Sequence, residues 1–237
     1  MAKAIRQLKN KVMRILAWSY SRWKDYDKCP AYAKYKHVEK RAEAEHPSAT
    51  EGKVVHEASD NYISGKLKKL PKELRMFIRE YEMMLKYGAQ GEQEWAFTEE
   101  WERCDWFDMQ RCWVRIKADL VFLQEEKKRG GMRSTTVRVI DIKTGKEHAD
   151  HAMQRSLYAV GAMLVFPDAE QVIVEHWYTQ TGAKQRTVFL SVDLAKLQRE
   201  WKARVVPMMA DKRFAPRPGN YCRFCHFRKA NGGPCQY

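Results

Sequence analysis

The sequence predicts an α/β (α+β) chain in which helices flank a mixed central sheet, with a helical N-terminal part and a Cys-rich C-terminal tail. Three observations carry that expectation. The first third of the chain is patterned at helical spacing. The segment after Gly88 is rich in aromatic and β-branched residues with partial alternation, which marks strands. A strand, a helix and further strands then follow one another, the order of a crossover in a mixed sheet. With 237 residues, 44% hydrophobic and 12% aromatic, the chain can bury a substantial core as one elaborated domain or two small ones. No apolar run is long enough to span a bilayer, so no membrane partner is expected.

The opening MAKAIRQLKNKVMRILAWSY is basic and free of acidic residues. Arg14 interrupts its apolar stretch, so it reads as an amphipathic helix or a basic arm and not as a targeting segment. Ser19 can cap a helix through SRWKDYDK, and Pro30 suits the first turn of a helix over PAYAKYKHVEKRAEAE. Pro47 and Ser48 interrupt that pattern; Glu51-Gly52 then opens a short helix ending near Gly65. From Lys72 the spacing of Leu74, Phe77, Ile78, Tyr81, Met84 and Leu85 marks a helix with one apolar stripe.

EWAFTEEWERCDW and CWVRIKADLVFLQ read as strands, and EEKKRGGMRSTT as an exposed hairpin loop leading into the strand TVRVIDIKTG. A helix is expected over roughly His148 to Phe166, then the strand pair VIVEHWYTQ and KQRTVFLSV, then the helix VDLAKLQREWKARVVPMMAD. The tail FAPRPGNYCRFCHFRKANGGPCQY reads as irregular. The expected organisation is a helical region over 1–88 packing on a core over 89–210, with a Cys-rich segment over 211–237.

Charge narrows the partners. Forty-four Lys and Arg against thirty Asp and Glu give +14 and a pI near 9.5, which favours polyanions, nucleic acid first among them. Eight Trp and eleven Tyr add stacking surface for unpaired bases, although most of these rings belong in a core. Six unevenly spaced cysteines do not form a small disulfide framework; a reducing compartment makes metal or cluster ligation an open possibility.

Asp141 and Lys143 lie two apart on a predicted strand and so share one face, while Ile142 points the other way into a core. Burying that pair at the end of an apolar strand is costly without compensation, which a divalent cation beside Asp141 and a phosphate beside Lys143 would give. Asp119 sits in the apolar strand IKADLVF, and hairpin pairing would bring it to Asp141. Hard oxygen donors suit Mg²⁺ or Mn²⁺. D-x-K alone is also what a salt-bridged pair on an edge strand looks like; Asp119 is what favours a site.

ADLVF, VIDIKTGK and QRSLYAVGA together resemble the RecB-type branch of the PD-(D/E)xK nucleases. The resemblance implies a restriction-endonuclease-like core with Asp119, Asp141, Lys143, Gln154 and Tyr158 as catalytic residues. From the residues alone, Gln154 and Tyr158 are equally an ordinary buried hydrogen-bonded pair on one helix face. AWSYSRWKDYDKCPAYAKYK is similar to the opening segment of RecB-like and CRISPR-associated nucleases, and EGKVVHEA to their G-x-x-x-H motif. That similarity implies a metal set of His56, Asp119, Asp141 and Ile142, with the imidazole shifting preference towards Mn²⁺. Glu94 sits where such proteins carry a supporting acidic residue, with Glu92 close behind.

Cys222 and Cys225 form a C-x-x-C, with Cys235 ten residues on and Cys29 beside Pro30. Four thiolates can hold a 4Fe–4S cluster or a tetrahedral zinc. The set resembles the iron–sulfur nucleases among those relatives, but the last cysteine comes later than in their usual tail. Zinc, with His226 as a competing donor, stays open. Cys104 and Cys112 read as core residues.

The expectation is therefore a Mg²⁺- or Mn²⁺-dependent DNA nuclease, an exonuclease of phage or mobile-element type, acting in recombination, repair or genome processing. DNA, single-stranded or with free ends, would be its substrate, a recombination or replication complex its setting, and the cytoplasm of a bacterial host its location. Two other readings are a catalytically silent nucleic-acid-binding module and a zinc-stapled interaction protein.

Overall fold

In the computed structural model, residues 14–43, 47–127, 133–147 and 151–237 are described. The expected basic arm over 1–13, the hairpin tip over 128–132 and the helix start over 148–150 lie outside them.

Ser19 accepts a hydrogen bond from the Arg22 N–H at 3.4 Å and starts α1 (Tyr20–Lys28). Pro30 opens α2 (Pro30–Ala33), which widens into a π-helical turn over Lys34–Val38. The helix expected to continue through Glu45 thus stops early, and Lys40 takes a positive φ of 56° where the chain turns away. Pro47 begins α3 (Pro47–Ile63) instead of interrupting it. A proline in the first turn loses no bond that the helix would have made.

The stripe from Lys72 forms a 3-10 turn (Lys72–Phe77) and then α4 (Ile78–Lys86). Leu74, Phe77, Tyr81 and Met84 are buried, whereas Ile78 and Leu85 are exposed, so the stripe is narrower than its apolar residues imply.

Among the described residues five strands lie in chain order: β1 (Gln90–Phe97), β2 (Val114–Lys127), β3 (Arg133–Lys143), β4 (Gln171–Tyr178) and β5 (Lys184–Leu190). All neighbours are antiparallel except β3 and β4, which α5 (His151–Val165) joins as a parallel crossover. The strand expected through TEEWERCDW ends at Phe97. Beyond it Thr98 Oγ1 accepts from the N–H of Glu100 and Glu102, and Asp108 Oδ1 from those of Gln110 and Arg111. These local side-chain bonds compete with a ladder and turn the chain.

Each sheet face carries a core. On one side α1, α5 and α6 (Leu194–Ala210) pack around Trp18, Trp23, Trp95, Trp113 and Trp201, with the rings of Trp18 and Trp201 stacked at 5.5 Å. On the other, α3 and α4 pack on Leu120, Ile140, Ile142 and Trp177. Ile142 therefore points into a core, as the strand periodicity requires. The tail makes two short 3-10 turns, Asn220–Phe224 and Lys229–Asn231, and is anchored by buried Phe214 and Phe227. A mixed sheet flanked by helices is the architecture the sequence predicts, and the described residues form it.

Candidate active site

The site begins with a defect in the sheet. Along β2, Ile116 and Ala118 face the larger core but Leu120 and Phe122 face the smaller one, so the alternation slips at Asp119. The ladder with β1 joins Gln93 to Ala118 and Gly91 to Leu120 and omits Glu92 and Asp119 between them. Glu92 absorbs the twist with a φ of 40°. The ladder with β3 ends at Leu120–Ile140. Beyond it the Ile142 N–H bonds the Asp119 side chain at 2.7 Å, not a backbone carbonyl. Asp119 thereby fills the notch where β2 and β3 part, beside Asp141.

Around that notch the polar groups form a closed network. Asp119 Oδ2 lies 3.0 Å from His56 Nδ1, brought in by α3. Asp141 Oδ1 accepts from Tyr158 OH at 2.8 Å, and Lys143 Nζ lies 2.5 Å from Asp141 Oδ2. Lys143 Nζ also donates to Gln154 Oε1 at 2.8 Å, and Gln154 Nε2 donates to Tyr158 OH at 3.1 Å. Gln154 and Tyr158, four apart on α5, thus close a ring with the strand pair. Asp119, Asp141, Lys143, Gln154, Tyr158 and His56 are all brought together.

Burial and the adjacent Asp141 charge push the Asp119 carboxyl above its ordinary range, with His56 opposing them. Burial would raise Asp141 as well, but Lys143, His176 and Tyr158 outweigh it and hold that carboxyl low. His56 is raised: its burial is overcome by the two carboxylates. Two desolvated carboxylates side by side call for a cation. Asp141 Oδ2 is buried and makes no well-formed hydrogen bond. Two buried carboxylates side by side present hard oxygen donors that fit a divalent ion of the Mg²⁺ class. Among the described residues no three His, Cys, Asp or Glu side chains stand in the geometry of an assembled metal site. The Lys143 ammonium lies against Asp141 and the His56 imidazole against Asp119.

Of the two supporting acids, Glu92 lines the cleft with His56, Asp119 and Lys117, and pairs with Lys117 at 3.1 Å. Glu94 is exposed and is not among the residues lining that cleft. Sequence reasoning missed His176, the register partner of Asp141 on β4. It is fully buried, with Nε2 3.4 Å from Asp141 Oδ2 and Nδ1 3.2 Å from Arg155 Nη1. Burial pushes its pKa down to about 3, so it stays neutral. A histidine within the apolar strand VIVEHWY was the available signal.

The model of the PD-(D/E)XK nuclease superfamily matches residues 17–230. The chain belongs to that superfamily. Its fold is similar to a crystal structure from Eubacterium rectale whose exonuclease assignment is provisional: TM-score 0.50, 14% identity, covering 90% of this chain and 88% of that one. The crystal structure of SSO0001 aligns over 100% of this chain and 95% of its own at 16% identity, with a TM-score of 0.47. No curated protein matches the sequence.

In this PD-(D/E)XK nuclease the tail returns to the N-terminal helices. Cys29, Cys222, Cys225 and Cys235 line one small cavity with Tyr32 and Phe227. The Arg217 N–H donates to Cys29 Sγ at 3.4 Å and the Gly219 N–H to Cys222 Sγ at 3.3 Å. Burial, then the neighbouring Cys235, Cys222 and Cys29, push the Cys225 thiol up. Thiols gathered in an apolar pocket with N–H donors to sulfur fit a thiolate-ligated group. His226 is exposed and is not among the residues lining that cavity. Cys104 and buried Cys112 pack in a separate apolar cluster. Among the described residues no helix is long and apolar enough to cross a membrane.

Proposed function

We propose that this nuclease is a Mg²⁺- or Mn²⁺-dependent deoxyribonuclease of the RecB-like branch, acting as an exonuclease on DNA strands. The observation that carries the reading is the closed ring of Asp141, Lys143, Gln154 and Tyr158 beside Asp119 and His56. Such a ring leaves few structural reasons for its own existence, since each buried charge costs more than a packed apolar side chain.

Asp119, Asp141, His56 and the main chain of Ile142 would hold the ion. When bound, it supplies charge relief to a phosphodiester and lowers the pKa of a water. Lys143, oriented by Gln154, places an ammonium where negative charge develops on the phosphate. Tyr158 fixes the rotamer of Asp141 and itself stays protonated, since burial holds its pKa well above the ordinary value. The net charge of +14 attracts the polyanionic substrate.

We assign Cys29, Cys222, Cys225 and Cys235 to a 4Fe–4S cluster stapling the two ends of the chain, with zinc as the alternative. A phage or mobile-element role in recombination, replication or genome processing, in the cytoplasm of a bacterial host, suits such a nuclease. The exonuclease assignment of the similar Eubacterium rectale fold agrees with this mode.

Lys143→Ala tests the reading. Turnover of DNA is expected to fall by about a thousandfold while fold and DNA affinity persist. Retained turnover would remove Lys143 from the chemistry.

A further inference from the structure

Beside the strand end lies a groove of about 320 Å³ that the reaction centre leaves unexplained. Its walls are the first turn of α1 with Arg22, the edge of β2 with Arg115 and Lys117, and α5 with Gln154 and Tyr158. The groove forms because β3 pairs with β2 only from Leu120 onward. The chain before α1 crosses that open edge: Trp18 bridges to Val114, and its carbonyl accepts the Arg115 N–H at 2.8 Å. This pairing fixes Arg22 and Arg115 side by side.

Two guanidiniums therefore share one groove. Arg22 donates to the Ala17 carbonyl, and Arg115 lies over the Trp106 ring at 5.5 Å. Among the described residues neither forms an ion pair with a carboxylate. The buried Nε of Arg115 has no hydrogen-bond partner. Burial and the charge of Arg115 push the Arg22 guanidinium below its ordinary pKa. Like charges held together at such a cost are relieved by an anion, and guanidinium forks match phosphate oxygens.

We propose that Arg22 and Arg115 form a subsite for a non-scissile phosphodiester of a single DNA strand and lead that strand to Asp141 and Lys143. The proposal rests on the nuclease reading and names its substrate strand. Cationic walls with an aromatic ring alongside are the elements of single-strand binding.

Anisotropy of a labelled single-stranded oligonucleotide, with chelator present to prevent turnover, tests the subsite. Arg115→Gln is expected to weaken binding about tenfold. It should also lower the slope of log affinity against log salt by about 0.7. Arg115→Lys should recover most of the slope. Oligonucleotides carrying one neutral methylphosphonate at successive positions should reveal one position where wild type loses affinity and Arg115→Gln does not. A blunt duplex should bind independently of Arg115.

Wild-type affinity and slope in a folded Arg115→Gln variant would overturn the proposal. So would equal losses on the duplex. Should Arg115→Gln unfold, Arg22→Gln carries the same test. Cleavage by wild type is measured in parallel. Arg-dependent binding without cleavage would sink the nuclease reading alone, and cleavage with Arg-independent binding would sink this subsite alone.

Discussion

Asp141 accepts from Tyr158, faces Lys143 and abuts His176, so three elements converge on one carboxylate. Tyr158→Phe removes one donor and leaves Gln154 Nε2 without its acceptor. It is expected to cost about 1 kcal/mol of stability and to slow cleavage about tenfold. Thermal melts and single-turnover rates would show it; a wild-type rate would make Tyr158 a packing residue only. Asp119, Asp141 and Lys143 were legible because a carboxylate in an apolar strand costs too much to be casual. His176 was not, since one histidine in a strand is more often a satisfied core residue. The slip in β2 was also hidden. IKADLVF alternates as far as Leu120 and then runs apolar through Val121 and Phe122, so its pattern does not place the slip; in the structure Glu92 on the neighbouring strand, with its positive φ, marks where the facing changes.

At the scale of elements, α5 sets the distance between the sheet and Gln154. Gly161 on that helix makes the approach possible: a Cβ there would meet Trp95 Cε3 at 2.7 Å and Ile116 Cδ1 at 2.9 Å. Gly161→Val is expected to destabilise the protein by about 1–3 kcal/mol through overpacking. A denaturant melt reads this, and an unchanged midpoint would mean that α5 can shift freely. The strand–helix–strand order around VIDIKTGK was readable because apolar periodicity switches cleanly there. The stretch after Phe97 was not: its aromatic residues resemble a strand, yet Thr98, Asp105 and Asp108 take the backbone N–H groups into turns. Pro47 was misread for a related reason, since proline ends one helix pattern and also starts the next.

Across the whole molecule, the first described helices and the tail meet at the four cysteines, and Tyr26 reinforces the contact by donating to Asp211 at 2.8 Å. Their convergence was implied by a family resemblance and not by spacing, because residues about two hundred apart carry no local signal. Cys222→Ser is expected to remove the visible absorption of an iron–sulfur cluster from anaerobically purified protein and to loosen the tail. A spectrum unchanged by the substitution would count against the cluster, and stoichiometric zinc would replace it. The central claim, that Asp119 and Asp141 form a metal-dependent hydrolytic centre, is tested most directly by cleavage of end-labelled DNA. Wild type and Asp119→Ala are compared on single and double strands with Mg²⁺, with Mn²⁺ and with chelator. The account predicts cleavage that requires the metal and disappears in Asp119→Ala, with a product ladder growing from one end. DNA bound but left intact by wild type under every condition would contradict it.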